Sequence, residues 1–273
     1  MNGYVRLGEV KADVTGLSAA VTAGTDASYL RDINDASRAF ENDCLGRTFY
    51  AYKATRYVSG DHGSTLLLPH DLISVTTVTV DVTGDGTADY TLVEGTDFRL
   101  SPEAAAQSGR PYWQLDLIPW GVQVGRWPKG YRAVAITGIW GWSYELESTG
   151  LTATVADGTG VTVTASATAA LLVYPGDTMV IEDEQLYVSA VSTTSITVTR
   201  AINGTTGAAH SAKTLNIRRY PRDIEGAIKR RVLAKRWENR SGMPMGEPSK
   251  GYDVSYAAYM DVVKSYRIKW AAF

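Results

Sequence analysis

The apolar residues of this 273-residue chain change their spacing twice, and those changes limit what it can fold into. Up to about Cys44, and again from Arg218, they recur at three- and four-residue steps, the repeat of a helix. Between those points they alternate at every second position, the repeat of strands. A chain patterned in this way is α+β, with helices from its two ends and sheet from its middle.

The strongest helical stretch is RRYPRDIEGAIKRRVLAKRWENR, residues 218–240. Pro221 suits a first turn, where a missing N–H costs nothing. Asp223 and Glu225 then place negative charge at the positive end of the helix dipole. Ile224, Ala227, Ile228, Val232, Ala234 and Trp237 form a broad apolar face, while Lys229, Arg230, Arg231, Lys235, Arg236 and Arg240 share the other. Gly242 and Pro244 end it. Such a basic face is either a solvated surface or a contact for an acidic partner or passing DNA. No aromatics interleave with the bases, so it does not read nucleic-acid sequence.

Composition narrows the rest. The chain is 44% hydrophobic and 21% charged with a net charge of −2, ordinary for one to two globular domains. Near-neutrality argues against a general polyanion binder and makes any basic function local. One cysteine and three scattered histidines (His62, His70, His210) leave no disulfide framework and no expected metal centre. Cys44 lies near a helical stripe and is expected as a small buried hydrophobe. There is no run of about eighteen apolar residues, hence no expected membrane span. The opening MNGYVRLGEVKADV lacks a signal-peptide pattern, so folding in a cytoplasm is expected.

Taken in order, Val5, Leu7 and Val10 suit a short strand or arm, and LSAAVTAG a helical turn. Residues 26–44 form a helix with Tyr29, Ile33, Ala36 and Phe40 as its stripe, Asp26 or Ser28 as cap and Gly46 as stop. Phe49–Trp142 reads as short strands of a sandwich or barrel-like sheet. Its dense aromatics (Tyr112, Trp113, Trp120, Trp127, Tyr131, Trp140, Trp142) are expected mainly in the core or as interface anchors. Asp81–Asp89 resembles a calcium loop, but Leu92 stands where a bidentate acid belongs, and Asp85-Gly86 marks a hairpin turn. Residues 145–217 hold only two bases, Arg200 and Lys213, against seven acids, and read as an inserted small all-β module within a discontinuous domain, 1–144 with 218–273. Glu182, Asp183 and Glu184 are expected at a solvated turn or edge, since neighbouring strand residues face opposite ways. A last helix, DVSYAAYMDVVKSYRIKW, puts Ala257, Met260, Val263, Arg267 and Trp270 on one face. Its tyrosines (Tyr252, Tyr256, Tyr259, Tyr266) are expected exposed, as a partner surface.

No phosphate loop, dinucleotide fingerprint, nucleophile elbow or HExxH motif is present. The reading is of a non-enzymatic structural or assembly protein without a cofactor. The order of pieces, DASRAFENDCLGRTF, then STLLLPHDLISVTTVTVD, TDFRL and YRAVAITGIWGW, then YPRDIEGAIKRRVLAKRW, resembles the head–tail connector (adaptor) proteins of long-tailed bacteriophages. The likeness covers residues 26–142 and 218–270; residues 145–217 depart from the minimal pattern. The resemblance implies a helical bundle of 26–44 with 218–240, the β portion alongside, and a dodecameric ring in the virion neck, assembled in the host cytoplasm. That ring would lie under the portal protein, extend the channel for packaged DNA and receive the stopper or tail terminator. It also implies that the C-terminal segment docks on the portal, with Tyr259, Met260, Tyr266, Arg267 and Trp270 as anchors. Lys229, Arg230, Arg231, Lys235 and Arg236 would contact ring neighbours or face the channel. The alternative is a capsid decoration or tail-tip protein that binds carbohydrate through its tryptophan-rich sheet.

Overall fold

The computed structural model describes residues 2–15, 23–120, 123–142, 145–169, 172–241 and 250–267. The chain is α+β and divides into two compact units, 48–143 and 1–47 with 144–273.

Unit 48–143 is one antiparallel sheet. Its strands are β1 (Tyr52–Val58), β2 (Thr65–Val80), β3 (Tyr90–Leu92), β4 (Phe98–Ser101), β5 (Tyr112–Leu117) and β6 (Val134–Trp140), ordered β1-β6-β2-β5-β4 with β3 beside β2. This is an open sheet rather than the sandwich or barrel expected for the stretch; the closed barrel lies elsewhere. β6 alternates buried and half-buried residues along its whole length, as a strand with one core face must. Leu68, Leu72, Val78, Leu115, Ile136, Trp127 and Trp140 fill the core. Both buried tryptophans keep their indole N–H satisfied, Trp127 on Ser64 O (3.1 Å) and Trp140 on Ala54 O (3.0 Å). Long β2 slips register near Ser74 and Val75, and there Gly138 of β6 approaches so closely that a Cβ would meet Ser74 O at 2.2 Å.

The other unit joins four helices to a barrel. α1 (Leu7–Thr15) replaces the strand or arm considered for Val5, Leu7 and Val10, all three buried. The LSAAVTAG turn lies largely outside the described residues. α2 (Ala23–Asp43) buries the expected stripe, Tyr29, Ile33, Ala36 and Phe40. It ends one residue earlier than Gly46 suggested. Leu45 takes the left-handed conformation (φ 63°), while the Leu45 N–H bonds Asn42 O and the Gly46 N–H bonds Glu41 O. Those two bonds make a Schellman ending with leucine in the glycine position.

β7 (Glu145–Val155), β8 (Thr162–Ala165), β9 (Thr178–Ile181), β10 (Glu184–Ser192), β11 (Ser195–Thr199) and β12 (His210–Arg219) close into a six-stranded barrel, order β10-β11-β8-β7-β12-β9. Closure leaves no free sheet edge. Its narrow interior is filled by Ala153, Val155, Val163, Met179, Val188, Ile196 and Leu215. Glu145 and Arg219 are register partners, so the chain enters and leaves the barrel side by side.

α3 (Arg222–Ser241) and α4 (Lys250–Tyr266) follow, α3 packing against both α2 and α4. Ile224, Ala227, Ile228 and Val232 of α3 and Val263 of α4 are wholly buried. The partition by packing differs from the one composition suggested, because the barrel shares a unit with the helices. Polar groups of the N-terminal segment seat on it: Asn2 bonds Thr178 (2.9 Å) and Asn203 (2.9 Å), and Arg6 holds buried Asp177 (2.8 Å).

Gly138→Ala should lower stability by about 1–3 kcal/mol, because the methyl group has to push β2 off β6. Chemical denaturation of the purified variant measures this, with a stability equal to the parent's counting against the close approach.

Candidate assembly surfaces

On α3, the acids at the helix start act as expected near the amino end, with Glu225 accepting from Arg219 (2.8 Å) and from the Tyr220 N–H (3.3 Å). The basic residues meet carboxylates of the same chain. Lys229 pairs with Asp13 of α1 (2.6 Å), Arg231 with Asp43 (3.0 Å), Lys235 with Asp32 (2.9 Å) and Asp35 (3.2 Å), and Arg236 with Asp32 (2.6 Å). Arg236 also lies over the Tyr29 ring at 3.6 Å and bonds Ser28. Arg230 alone of the five is exposed with no ion pair among the described residues. These pairs are mostly half-exposed, so each contributes about 0–1 kcal/mol and serves to match α3 to α1 and α2. The clue in the sequence was the acid spacing on α2, Asp32, Asp35 and Asp43, which complements the basic face.

α4 reverses one expectation. Tyr259, expected exposed, is 3% exposed and belongs to the chain's own core. Its hydroxyl donates to Asp43 (2.6 Å) and accepts from Arg231 (2.7 Å), closing a triangle with the Asp43–Arg231 pair. Its ring meets Phe40 edge-on at 5.9 Å. Burial, then the neighbouring Asp43, raises its hydroxyl well above the usual tyrosine range. Tyr266 donates to Asp223 (2.9 Å), and Met260 is half-buried. Arg267 is exposed while its Nε donates to Asp43 O (3.2 Å). Tyr256, stacked on Tyr259, is 51% exposed. Trp270 and the side chain of Tyr252 lie outside the described residues.

The acidic run in the barrel is corrected in part. Glu184 is buried rather than solvated, and Arg200 grips it through Nε (2.6 Å) and Nη2 (2.5 Å) while His210 Nε2 meets it at 2.8 Å. His210 Nδ1 faces Glu182 (2.9 Å), which also pairs with Lys213 (2.7 Å). The module's only two bases are therefore spent on Glu184 and Glu182. Burial alone would raise the Glu184 carboxyl, but the bonds from Arg200, His210 and the backbone N–H groups of Ala208 and Ala201 hold it down at about 2. Asp177 goes the other way: burial outweighs Arg6 and the Tyr174 N–H, and its carboxyl is raised.

Elsewhere the acidic turn is self-contained. Asp81 accepts from the N–H groups of Gly84 (2.6 Å) and Gly86 (2.8 Å), and Asp89 from those of Val82 (2.7 Å) and Thr83 (2.9 Å). Their oxygens shape a turn, not a cation shell. No group of three or more potential metal ligands occurs among the described residues, and no described helix is long and apolar enough to cross a membrane. Cys44 is buried, with its thiol pushed up to about 12 by burial. Of the sheet's tryptophans, Trp127 and Trp140 are core, whereas Trp120 is 79% exposed.

Two outcomes follow from these contacts. Tyr259→Phe should cost about 1.5 kcal/mol, since it leaves half-buried Asp43 and Arg231 without their shared hydroxyl; thermal unfolding reads it. Glu184→Gln should cost about 3–5 kcal/mol by stranding Arg200. Because this carboxyl is held below its unfolded value, its contribution is complete above that value and disappears as pH falls towards about 2. Denaturation curves taken on acidification should therefore fall more steeply for the parent than for Glu184→Gln.

No protein-family model matches the chain, and no curated protein matches it. Among solved structures, part of the chain is similar to a chain in the "Neck of empty GTA particle computed with C6 symmetry". That likeness has a TM-score of 0.32 at 15% identity, covering 52% of this chain and 66% of the other, just under two thirds. Similarity so slight carries no functional argument.

Proposed function

We propose that this chain is a non-enzymatic structural protein of a phage-type virion neck. It forms a ring under the portal protein, extends the channel for packaged DNA and receives the stopper or tail terminator. The observation that carries the reading is the packing of α2 on α3. The two stretches that open and close the resemblance to connector proteins, DASRAFENDCLGRTF and YPRDIEGAIKRRVLAKRW, form adjacent helices joined through Asp43 and Arg231, 188 positions apart. Such a pairing supports the reading, because the resemblance to connector proteins implies that these two stretches pack together. Of Lys229, Arg230, Arg231, Lys235 and Arg236, four are engaged inside the chain, which leaves Arg230 of that set to meet a ring neighbour or the DNA channel. Half-exposed Tyr256 on α4 and exposed Arg267 just beyond its end would be presented to a portal.

The test is binding of the purified protein to DNA-filled heads that carry a portal but no neck, by co-sedimentation and electron microscopy of the portal vertex. A ring added at that single vertex supports the reading; density over the capsid lattice, or none at the portal, overturns it. Arg230→Glu separates the two roles of that residue. Rings that form but retain DNA poorly place it on the channel, and loss of rings makes it a subunit contact.

A further inference from the structure

Across one end of the sheet in unit 48–143, the register runs Val58–Val134–Val80–Tyr90, from β1 through β6 and β2 to β3. The two flanks of that end differ in charge. On the β1 side lies the β5–β6 connection, residues 118–133, which contains no Asp or Glu. Buried Trp127 pins it, with its N–H on Gly63 O (2.9 Å) and its carbonyl accepting from the His62 N–H (3.2 Å). A bridge between Gly60 and Lys129 holds it further. So anchored, the connection leaves Tyr131 90% exposed, and Arg132 lies 3.9 Å over the ring of half-exposed Tyr57. Lys129 and Arg132 are exposed and have no ion pair among the described residues.

On the β3 side the chain presents the opposite chemistry. The β2–β3 turn exposes Val82 between Asp81, Asp85 and Asp89. Tyr90 is exposed on β3 itself, and Val93 (57% exposed) and Glu94 follow it. Asp81, Asp85 and Asp89 are met by backbone N–H groups, which leave their charge uncompensated, and neither they nor exposed Glu94 have an ion pair among the described residues. Three strand steps, about 14 Å at the usual spacing, separate Val58 from Tyr90. One flank is thus basic and aromatic, the other acidic and apolar, each carrying what the other lacks.

Contacts that repeat head to tail need two different, complementary patches on one chain, and this sheet end has them. We infer that the partner of the Lys129–Arg132 flank is a second copy of this chain, which presents its Asp85–Glu94 flank. The contact deepens the neck reading, and rests on it, by naming a surface through which neighbouring copies join. Tyr131 is the aromatic anchor, set against Val82, Tyr90 and Val93, and Lys129 and Arg132 are paired with Asp85 and Glu94. A free polyanion suits the basic flank less well, because the acidic turn at the same sheet end repels it.

The test is sedimentation velocity of the full chain at low salt over a concentration series. The parent, Lys129→Glu/Arg132→Glu and Asp85→Lys/Glu94→Lys would be compared, each checked for unchanged thermal unfolding. The parent should associate as concentration rises, and each double variant should associate at least tenfold more weakly. An equimolar mixture of the two variants should recover association, since the reversed flanks then match each other. Tyr131→Ala, which changes no charge, should also weaken it. A parent that stays monomeric throughout overturns the inference, and so do variants that associate like the parent. Binding of a single-stranded or duplex DNA oligonucleotide that the Lys129→Glu/Arg132→Glu variant loses, with no self-association, overturns it in favour of a nucleic-acid surface. The two readings fail separately. Association through these flanks without a ring at the portal vertex removes the neck reading and leaves the contact. A portal ring formed equally well by the Lys129→Glu/Arg132→Glu variant removes the contact and leaves the neck.

Discussion

Asp43, Arg231 and Tyr259 meet where three helices converge, and the helical part of the molecule depends on that junction. Asp43 ends α2, Arg231 sits mid-way along α3, and Tyr259 lies on α4. Everything from the sheet to the barrel intervenes between the first and the second. Closing so long a span costs only slightly more than closing a shorter one, because the entropy grows with the logarithm of length. Most of the free energy that offsets it comes from apolar burial on the same three helices, where Phe40, Val232 and Val263 are fully buried. The polar triangle contributes less and selects more, since it is satisfied in only one relative placement of the helices.

The barrel follows a different rule. Its narrow interior is filled by aliphatic side chains and Met179, with no aromatic ring among its described buried residues, and charged groups are buried at its margins. Glu184 and Asp177 show what decides the state of such a group. Glu184 receives two guanidinium bonds, a histidine and backbone N–H groups, and these outweigh burial. Asp177 has Arg6 and the Tyr174 N–H, and burial outweighs them. Arg6 nevertheless fixes how the N-terminal segment meets the barrel, because leaving either partner buried alone would cost several kcal/mol.

Charge placement also separates what this chain uses internally from what it offers outward. Lys229, Arg231, Lys235 and Arg236 match α3 to its neighbours, so a surface that reads as basic is largely neutralised where it stands. In the sheet unit, Lys129 and Arg132 are uncompensated and stand beside exposed aromatic rings, the composition of a contact surface. The helices are held to one another by internal ion pairs, whereas the charges at this end of the sheet face outward with no ion pair among the described residues.

Much of the architecture is legible in the amino-acid order, for reasons that act over short distances. The stripe Tyr29–Ile33–Ala36–Phe40 and the stripe from Ile224 to Val232 each specify a helix and the face it buries. Alternation specifies the strands of β6, and Asp85-Gly86 the turn. Other features depended on partners remote in sequence. Whether Tyr259 is exposed turned on Asp43, Arg231 and Phe40, and whether Glu184 is solvated turned on Arg200 and His210. Periodicity thus determined which segments are helix or strand and which residues face inward, because both are set by backbone geometry within a few residues. Which charges are spent, which aromatics stay free and which unit owns the barrel were decided only by tertiary structure, because electrostatic pairing and burial are properties of neighbours in space.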